Sequence, residues 1–335
     1  MTESRVPYIL YRGRAVFFML WKRIFLSHKN RNLVELPTII CYDKMVYIDK
    51  KLSNISLIRG IFNVNDKITV KVLGTRGSIP CSGEEFQIYG GNTSCFFLPI
   101  KDQAIVFDAG TGIMTLNKSL PKTIKDIHIF ISHMHLDHIQ GFPFFQFLFE
   151  SDYPITIYGQ ARSGKTIQEQ IDYFLNPLLW PVGVKNFQPN VQFVTLQLGK
   201  KYQIGEDIVI ETEHSCHPGA STLYRVTYKD RSFVYALDFE HNEDSLERLI
   251  SFSQNATALV YDSCYLPEEY PEHKGWGHST WEQGLFVKKR ANIEQLLLSH
   301  HNTNHTDAIL QTLEKQLSLI DNNIRLLKEG MEIDV

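Results

Sequence analysis

The chain has 335 residues, 43% of them hydrophobic, and a formal net charge of -3. That is enough for one large domain or two with well-buried cores, and it excludes a global basic field, so a polyanion such as RNA would need a local patch. Five cysteines, Cys41, Cys81, Cys95, Cys216 and Cys264, are odd in number and form no CxxC pair. This excludes a disulfide framework and points to a reducing, cytoplasmic compartment.

The first run, Tyr8 to Leu26, is apolar and aromatic with Arg12, Arg14, Lys22 and Arg23 interspersed. Its longest uncharged piece, Ala15 to Trp21, falls far below the roughly 20 residues of a membrane span. A helix packed on its own protein is expected, with a basic helix making peripheral membrane contact through residues 8–26 as the second option. Thr38 to Tyr42 and Met45 to Ile48 predict a hairpin around Asp43-Lys44. Residues 1–66 are therefore read as an N-terminal extension of helix plus β-hairpin, and 67–335 as the main domain.

That domain opens on the alternating strand Lys67 to Gly74, which runs into Thr75-Arg76-Gly77-Ser78-Ile79-Pro80. Tyr89-Gly90-Gly91-Asn92-Thr93-Ser94-Cys95 predicts a turn feeding a second strand, and Ala104 to Gly112 a third that ends in a glycine-rich turn. Gly141 to Phe149 is too aromatic to be exposed and suits a helix or a pocket wall. Strands at 155–159, 208–211 and 232–237 alternate with helices at 166–174, 244–253, 281–291 and 306–319, a mixed α/β pattern.

Only one of the thirteen histidines, His28, precedes residue 128. The strand 126–131 runs straight into Ser132-His133-Met134-His135-Leu136-Asp137-His138, three imidazoles and a carboxylate in six positions. Desolvating so many polar groups is too costly for filler, and metal binding is the chemistry that needs them. Two ions want more donors than this motif holds. Candidates end three further strands: His214 or His217, Asp238, and His300 or His301.

The motif resembles the H-x-H-x-D-H signature of the metallo-β-lactamase fold. The TRGSIP, YGGNTSC, DAGTG, HPG and ALDFE segments stand in the order of its phosphodiesterase branch, which includes ribonuclease Z and cyclic-nucleotide phosphodiesterases. The resemblance covers residues 67–335 and implies an αββα sandwich with two divalent ions, zinc first and manganese second. It places His133, His135 and His217 on one ion, Asp137, His138 and His300 on the other, and Asp238 between them. His217 rather than His214 directly precedes Pro-Gly, and His300 rather than His301 directly follows Leu298-Ser299. Asp108 is expected to be structural.

Gly277-His278-Ser279-Thr280 resembles the G-H-S-T element that ribonuclease Z and its relatives use near the scissile phosphate, and Asp262 matches the acid that orients its histidine. The implied reaction is phosphodiester hydrolysis by a hydroxide held between the ions, with His278 as general acid and Asp137 as a further proton acceptor. Residues 159–191 lack the long basic arm of tRNA-processing relatives, so a small phosphodiester, foremost a cyclic nucleotide, is the expected substrate. RNA 3′-end cleavage is the alternative; a non-catalytic ligand-binding or scaffold protein anchored by its extension is an alternative of another class. A homodimer is expected by analogy with the fold.

Overall fold

The computed structural model describes residues 67–150, 153–188 and 190–335, together with the backbone of four strands before residue 48. The chain divides into two compact units, Met1–Asn65 and Asp66–Val335.

In the first unit, Ile9–Arg12, Ala15–Ile24, Val34–Cys41 and Lys44–Tyr47 form an antiparallel sheet in sequence order. The helix expected over 8–26 is therefore corrected to two strands. Val16, Phe17, Phe18 and Trp21 favour a pleated surface, and pairing of Phe18 with Ile40 through Ile24 with Val34 settles what an irregular charge pattern leaves open. The amphipathic helix invoked for membrane contact loses its basis. Among the described residues no helix is long and apolar enough to cross a membrane. The hairpin forms with Cys41 opposite Lys44.

The second unit is built on two seven-stranded sheets. One runs, in spatial order, Val191–Leu196, Ile155–Gln160, Asp126–Ile131, Gln103–Phe107, Cys95–Ile100, Thr69–Gly74 and Glu332–Asp334. The other runs Lys201–Ile204, Ile208–Ser215, Ser221–Tyr228, Arg231–Ala236, Ala258–Asp262, Gln295–Ser299 and Ile324–Leu326. Each sheet joins an antiparallel half to a parallel half. The αββα sandwich expected from the sequence is the fold observed.

Its core lies in three layers. Ile105, Phe107, Phe130, Tyr224, Tyr235, Val260 and Leu297 meet between the sheets, where Phe107 stacks on Tyr235 at 5.1 Å. Val106, Ile129 and Ile157 face the other way, toward Ile167 and Ile171 of the helix Ile167–Phe174. Leu259, Tyr261, Leu296 and Leu298 face Leu249, Val287, Leu310 and Leu317 from three helices, Glu243–Phe252, Trp281–Arg290 and Asp307–Ile320. Central strands buried on both faces read as continuous apolar runs, and each such side chain contributes about 1.5–3 kcal/mol. In the Gly141 to Phe149 run Phe142, Phe145 and Leu148 are fully buried core, whereas Phe144 is 51% exposed, against the expectation for so aromatic a run.

His128 is a half-buried polar member of this frame. Its Nε2–H donates to Gln103 Oε1 at 2.9 Å and its Nδ1 accepts from the Tyr158 hydroxyl at 3.2 Å. Burial lowers its pKa to about 4, against a weaker upward pull from Asp126. The stabilisation from a neutral His128 is whole above the unfolded value near 6.5 and is lost as pH falls toward 4. His128→Gln should therefore narrow the loss of stability between pH 7 and 4.5 by up to about 3 kcal/mol, read by urea unfolding in chelator.

Candidate metal centre

Strand ends from both sheets deliver the site to one edge of the sandwich. Asp108 follows Gln103–Phe107, and the His133 to His138 motif follows Asp126–Ile131, with Asp137 and His138 on the one-turn helix Leu136–Ile139. From the other sheet come His217, Asp238, Asp262 and His300. Asp108, Asp238 and His300 all take left-handed backbone, with φ of 58°, 52° and 66°. Such strain costs about 1–3 kcal/mol per residue and turns each side chain sharply out of its strand.

The buried carboxylate of Asp238 is common to two clusters, His133, His135, His217, Asp238 and Asp137, His138, Asp238, His300; within each, the candidate ligand atoms lie within 4.8 Å of one another. In the first, Asp238 Oδ1 is 3.8 Å from His133 Nε2 and 3.6 Å from His217 Nε2, which is 3.0 Å from His135 Nδ1. In the second, Asp238 Oδ2 is 2.8 Å from His138 Nε2 and 3.3 Å from His300 Nε2, and Asp137 Oδ2 is 3.2 and 3.1 Å from those nitrogens. Ligands about 2.1 Å from a tetrahedral ion stand about 3.4 Å apart, so these spacings suit donors around a shared cation.

Two further observations fit a cation pair. His133 Nε2, His138 Nε2 and Asp238 Oδ2 are buried without any hydrogen bond, although the last two are only 2.8 Å apart. Burial alone would lower the pKa of His138 and His300, yet Asp238 and neighbouring carboxylates outweigh it and raise both. The carboxylates thus draw positive charge, as protons on these imidazoles or as metal ions in their place. Burial would raise Asp137 and Asp238, but His138 outweighs it and holds both well below the usual carboxylate range.

Surrounding groups aim the ligands. His138 Nδ1–H donates to Asp108 Oδ2 at 2.7 Å; Asp108 also accepts from Ser132 N at 2.6 Å and from the hydroxyls of Ser132 and Tyr235 at 2.8 and 2.6 Å. His217 Nδ1–H donates to the Gly277 carbonyl at 2.9 Å, and Ser78 N–H donates to Asp137 Oδ2 at 2.8 Å. A Cβ on Gly77 would lie 2.4 Å from the His300 ring, so only glycine lets this loop cover that side chain.

The structure places the two histidines of each alternative differently. His214 is exposed on its strand, away from either cluster, whereas His217 is buried in one. His301 donates from Nε2 to the Leu327 carbonyl at 2.8 Å, and burial lowers its pKa to about 3. His300 is the neighbour that faces Asp137 and Asp238.

His278 and Asp262 are also brought together. His278 Nδ1–H donates to Asp262 Oδ2 at 2.8 Å, and the imidazole stacks on His300 with ring centroids 4.9 Å apart. Asp262 Oδ2 accepts from Asp238 N at 3.0 Å, while Oδ1 accepts from Cys264 N at 3.0 Å.

The model of the beta-lactamase superfamily domain matches residues 103–301, more than half of the chain. The chain belongs to this superfamily. Within it, Ribonuclease Z of Lactiplantibacillus plantarum is 23% identical over 293 residues, covering 73% of this chain and 92% of that protein. The metallo-beta-lactamase fold protein YhfI of Bacillus subtilis superposes with a TM-score of 0.63 at 20% identity, over 81% of this chain and all of YhfI. Human tRNase Z, short form, superposes with a TM-score of 0.55 at 20% identity, over 79% of this chain and 98% of that one. The resemblance read from the motifs is thus the family found.

Of the supports, only Asp108 was visible in the sequence, as a structural aspartate. Ser78 and Gly277 act through backbone groups, and Tyr235 through a hydroxyl inside an ordinary apolar strand; none carries a residue-type signal. Asp108 accepts four hydrogen bonds, one of them from His138. Asp108→Ala is expected to weaken metal affinity about 10- to 100-fold in chelator competition while the fold persists.

Proposed function

We propose that the chain is a dinuclear metal-dependent phosphodiesterase in which His278 protonates the leaving oxygen. The observation that carries this reading is the placement of the His278–Asp262 pair against the double cluster. With Nδ1 committed to Asp262, His278 has Nε2 free to face a substrate, and its side chain keeps 12% exposure. A carboxylate-oriented imidazole is suited to an alkoxide leaving group.

His133, His135 and His217 would hold one ion and Asp137, His138 and His300 the other, with Asp238 a donor to both. Imidazole and carboxylate donors suit zinc or manganese. Bound there, the pair polarises phosphoryl oxygens and makes water nucleophilic near neutral pH. Asp137 is placed to take the proton that the attacking water gives up. Asp262, fixed by three backbone N–H donors, orients His278.

A small phosphodiester of the cyclic-nucleotide kind is the substrate favoured here. Between Gln160 and Val191 the described residues hold one helix, Ile167–Phe174, and one short turn, Val184–Asn186. The second reading, RNA 3′-end cleavage, is favoured by the likeness to Ribonuclease Z. Rates on cyclic mononucleotides, cyclic dinucleotides, bis-p-nitrophenyl phosphate and precursor tRNA, with and without chelator, separate the two. Chelator-sensitive turnover of precursor tRNA alone would overturn the small-substrate choice, and no turnover on any would leave a binding or scaffold protein.

A further inference from the structure

Two residues before His278 stands an exposed indole that the site described so far does not use. Trp276 is 61% exposed, and at most about 7 Å of chain separates its Cα from that of His278. Single exposed aromatics are ordinary, so exposure alone says little. The loop that carries this one is fixed in place. Glu240 clamps it with both carboxylate oxygens: Oε1 accepts from Gly275 N at 2.6 Å and from the Tyr270 hydroxyl at 3.1 Å, and Oε2 accepts from Gly277 N at 2.8 Å. Gly275 and Gly277 both take left-handed backbone, with φ of 87° and 91°.

The indole is also backed by a run of rings that leads to the catalytic histidine. Trp276 meets His273 edge-on at 5.0 Å, His273 stacks on Tyr265 at 4.3 Å, and Tyr265 meets His278 edge-on at 6.0 Å. Gly277 at the same time accepts from His217 through its carbonyl. One loop therefore orients a candidate metal ligand and carries an exposed indole two residues before His278.

We propose that Trp276 is a stacking platform for the nucleobase on the leaving-group side of the substrate. The inference rests on the phosphodiesterase reading above. A base has a π-face whatever its identity, so the platform would favour nucleoside phosphodiesters over other esters without selecting one base. Glu240 is a positioning residue that fixes the backbone on either side of Trp276.

The test compares wild type, Trp276→Leu and Trp276→Phe, each loaded with metal. Substrates are cyclic AMP, the dinucleotide ApA, methyl riboside cyclic phosphate, and ApA analogues lacking one base or the other. Trp276→Leu should raise KM for cyclic AMP and ApA about tenfold, with a smaller change in kcat, and Trp276→Phe should restore most of it. Removing the base on the leaving side should cost the wild type a similar factor and cost Trp276→Leu little. Quenching of tryptophan fluorescence by AMP should vanish in both variants.

An unchanged KM in a folded, metal-loaded Trp276→Leu protein overturns the proposal. Equal wild-type turnover of cyclic AMP and the base-free ester overturns stacking while leaving the phosphodiesterase reading intact. Failure of the wild type on every ester removes that reading and the platform with it.

Discussion

Replacing His278 with alanine should leave both metal ions in place and lower kcat by about a hundred- to ten-thousandfold. Neither part is trivial, because the imidazole sits directly against candidate ligands. Its ring stacks on His300 and lies 5.3 Å from His217. Its Nδ1 is nevertheless committed to Asp262, and Asp238 Oδ1 is 3.9 Å away, beyond hydrogen-bond reach. The two clusters read here as metal sites do not include it, although its ring also lies within 4.8 Å of candidate ligand atoms of Asp238, Asp262 and His300. The loss should depend on the leaving group, being severe for an alkyl alkoxide and slight for p-nitrophenolate, which needs no proton. An equal loss on both would assign His278 to binding or structure instead. Asp262→Asn should follow the same pattern more weakly, since the imidazole would remain but the hydrogen bond that orients it would be weakened.

Asp238→Ala should do the opposite, removing metal and activity together, with a rate loss of at least about a thousandfold. Asp238 contributes one oxygen to each cluster, so its loss strips a donor from both at once. It also leaves the imidazoles of His138 and His300 in a buried space without the carboxylate that balances their charge. Elemental analysis of the dialysed variant reads the first effect, and turnover of bis-p-nitrophenyl phosphate the second. Because the left-handed backbone at Asp238 is a strain that alanine also pays, a melting curve should accompany both, and Asp238→Asn provides a variant of the same shape. Retention of two ions per chain by Asp238→Asn with normal turnover would show that the carboxylate's charge is not needed between them.

What could be read from residues alone followed physical cost. Four imidazole and carboxylate groups within Ser132 to His138 are expensive to bury, and that expense made them legible. Central strands such as Ala258–Asp262 and Gln295–Ser299 were legible because burial on both faces leaves an unbroken apolar run. The helix Ile167–Phe174 announces its start through a capping box, with Thr166 and Glu169 each bonding the other's backbone N–H.

Other parts had no local signal. The run over 8–26 mixes aromatic residues and cations without a clear period, and its strand state is settled by partners such as Ile39 opposite Met19, which a local pattern does not contain. Glu332–Asp334 is three residues long and closes a sheet by pairing with Thr69 to Lys71, far back in the sequence. Glu240 was visible only as part of a segment order. Its role as the clamp on Gly275 and Gly277 depends on a loop that comes some 35 residues later.

The central claim, that this double cluster is a two-metal phosphodiesterase centre, is tested most directly by titrating metal-stripped protein with zinc or manganese while following hydrolysis of bis-p-nitrophenyl phosphate. The account predicts that activity rises steeply to a plateau at two equivalents per chain. Two tightly bound equivalents with no hydrolysis would contradict it.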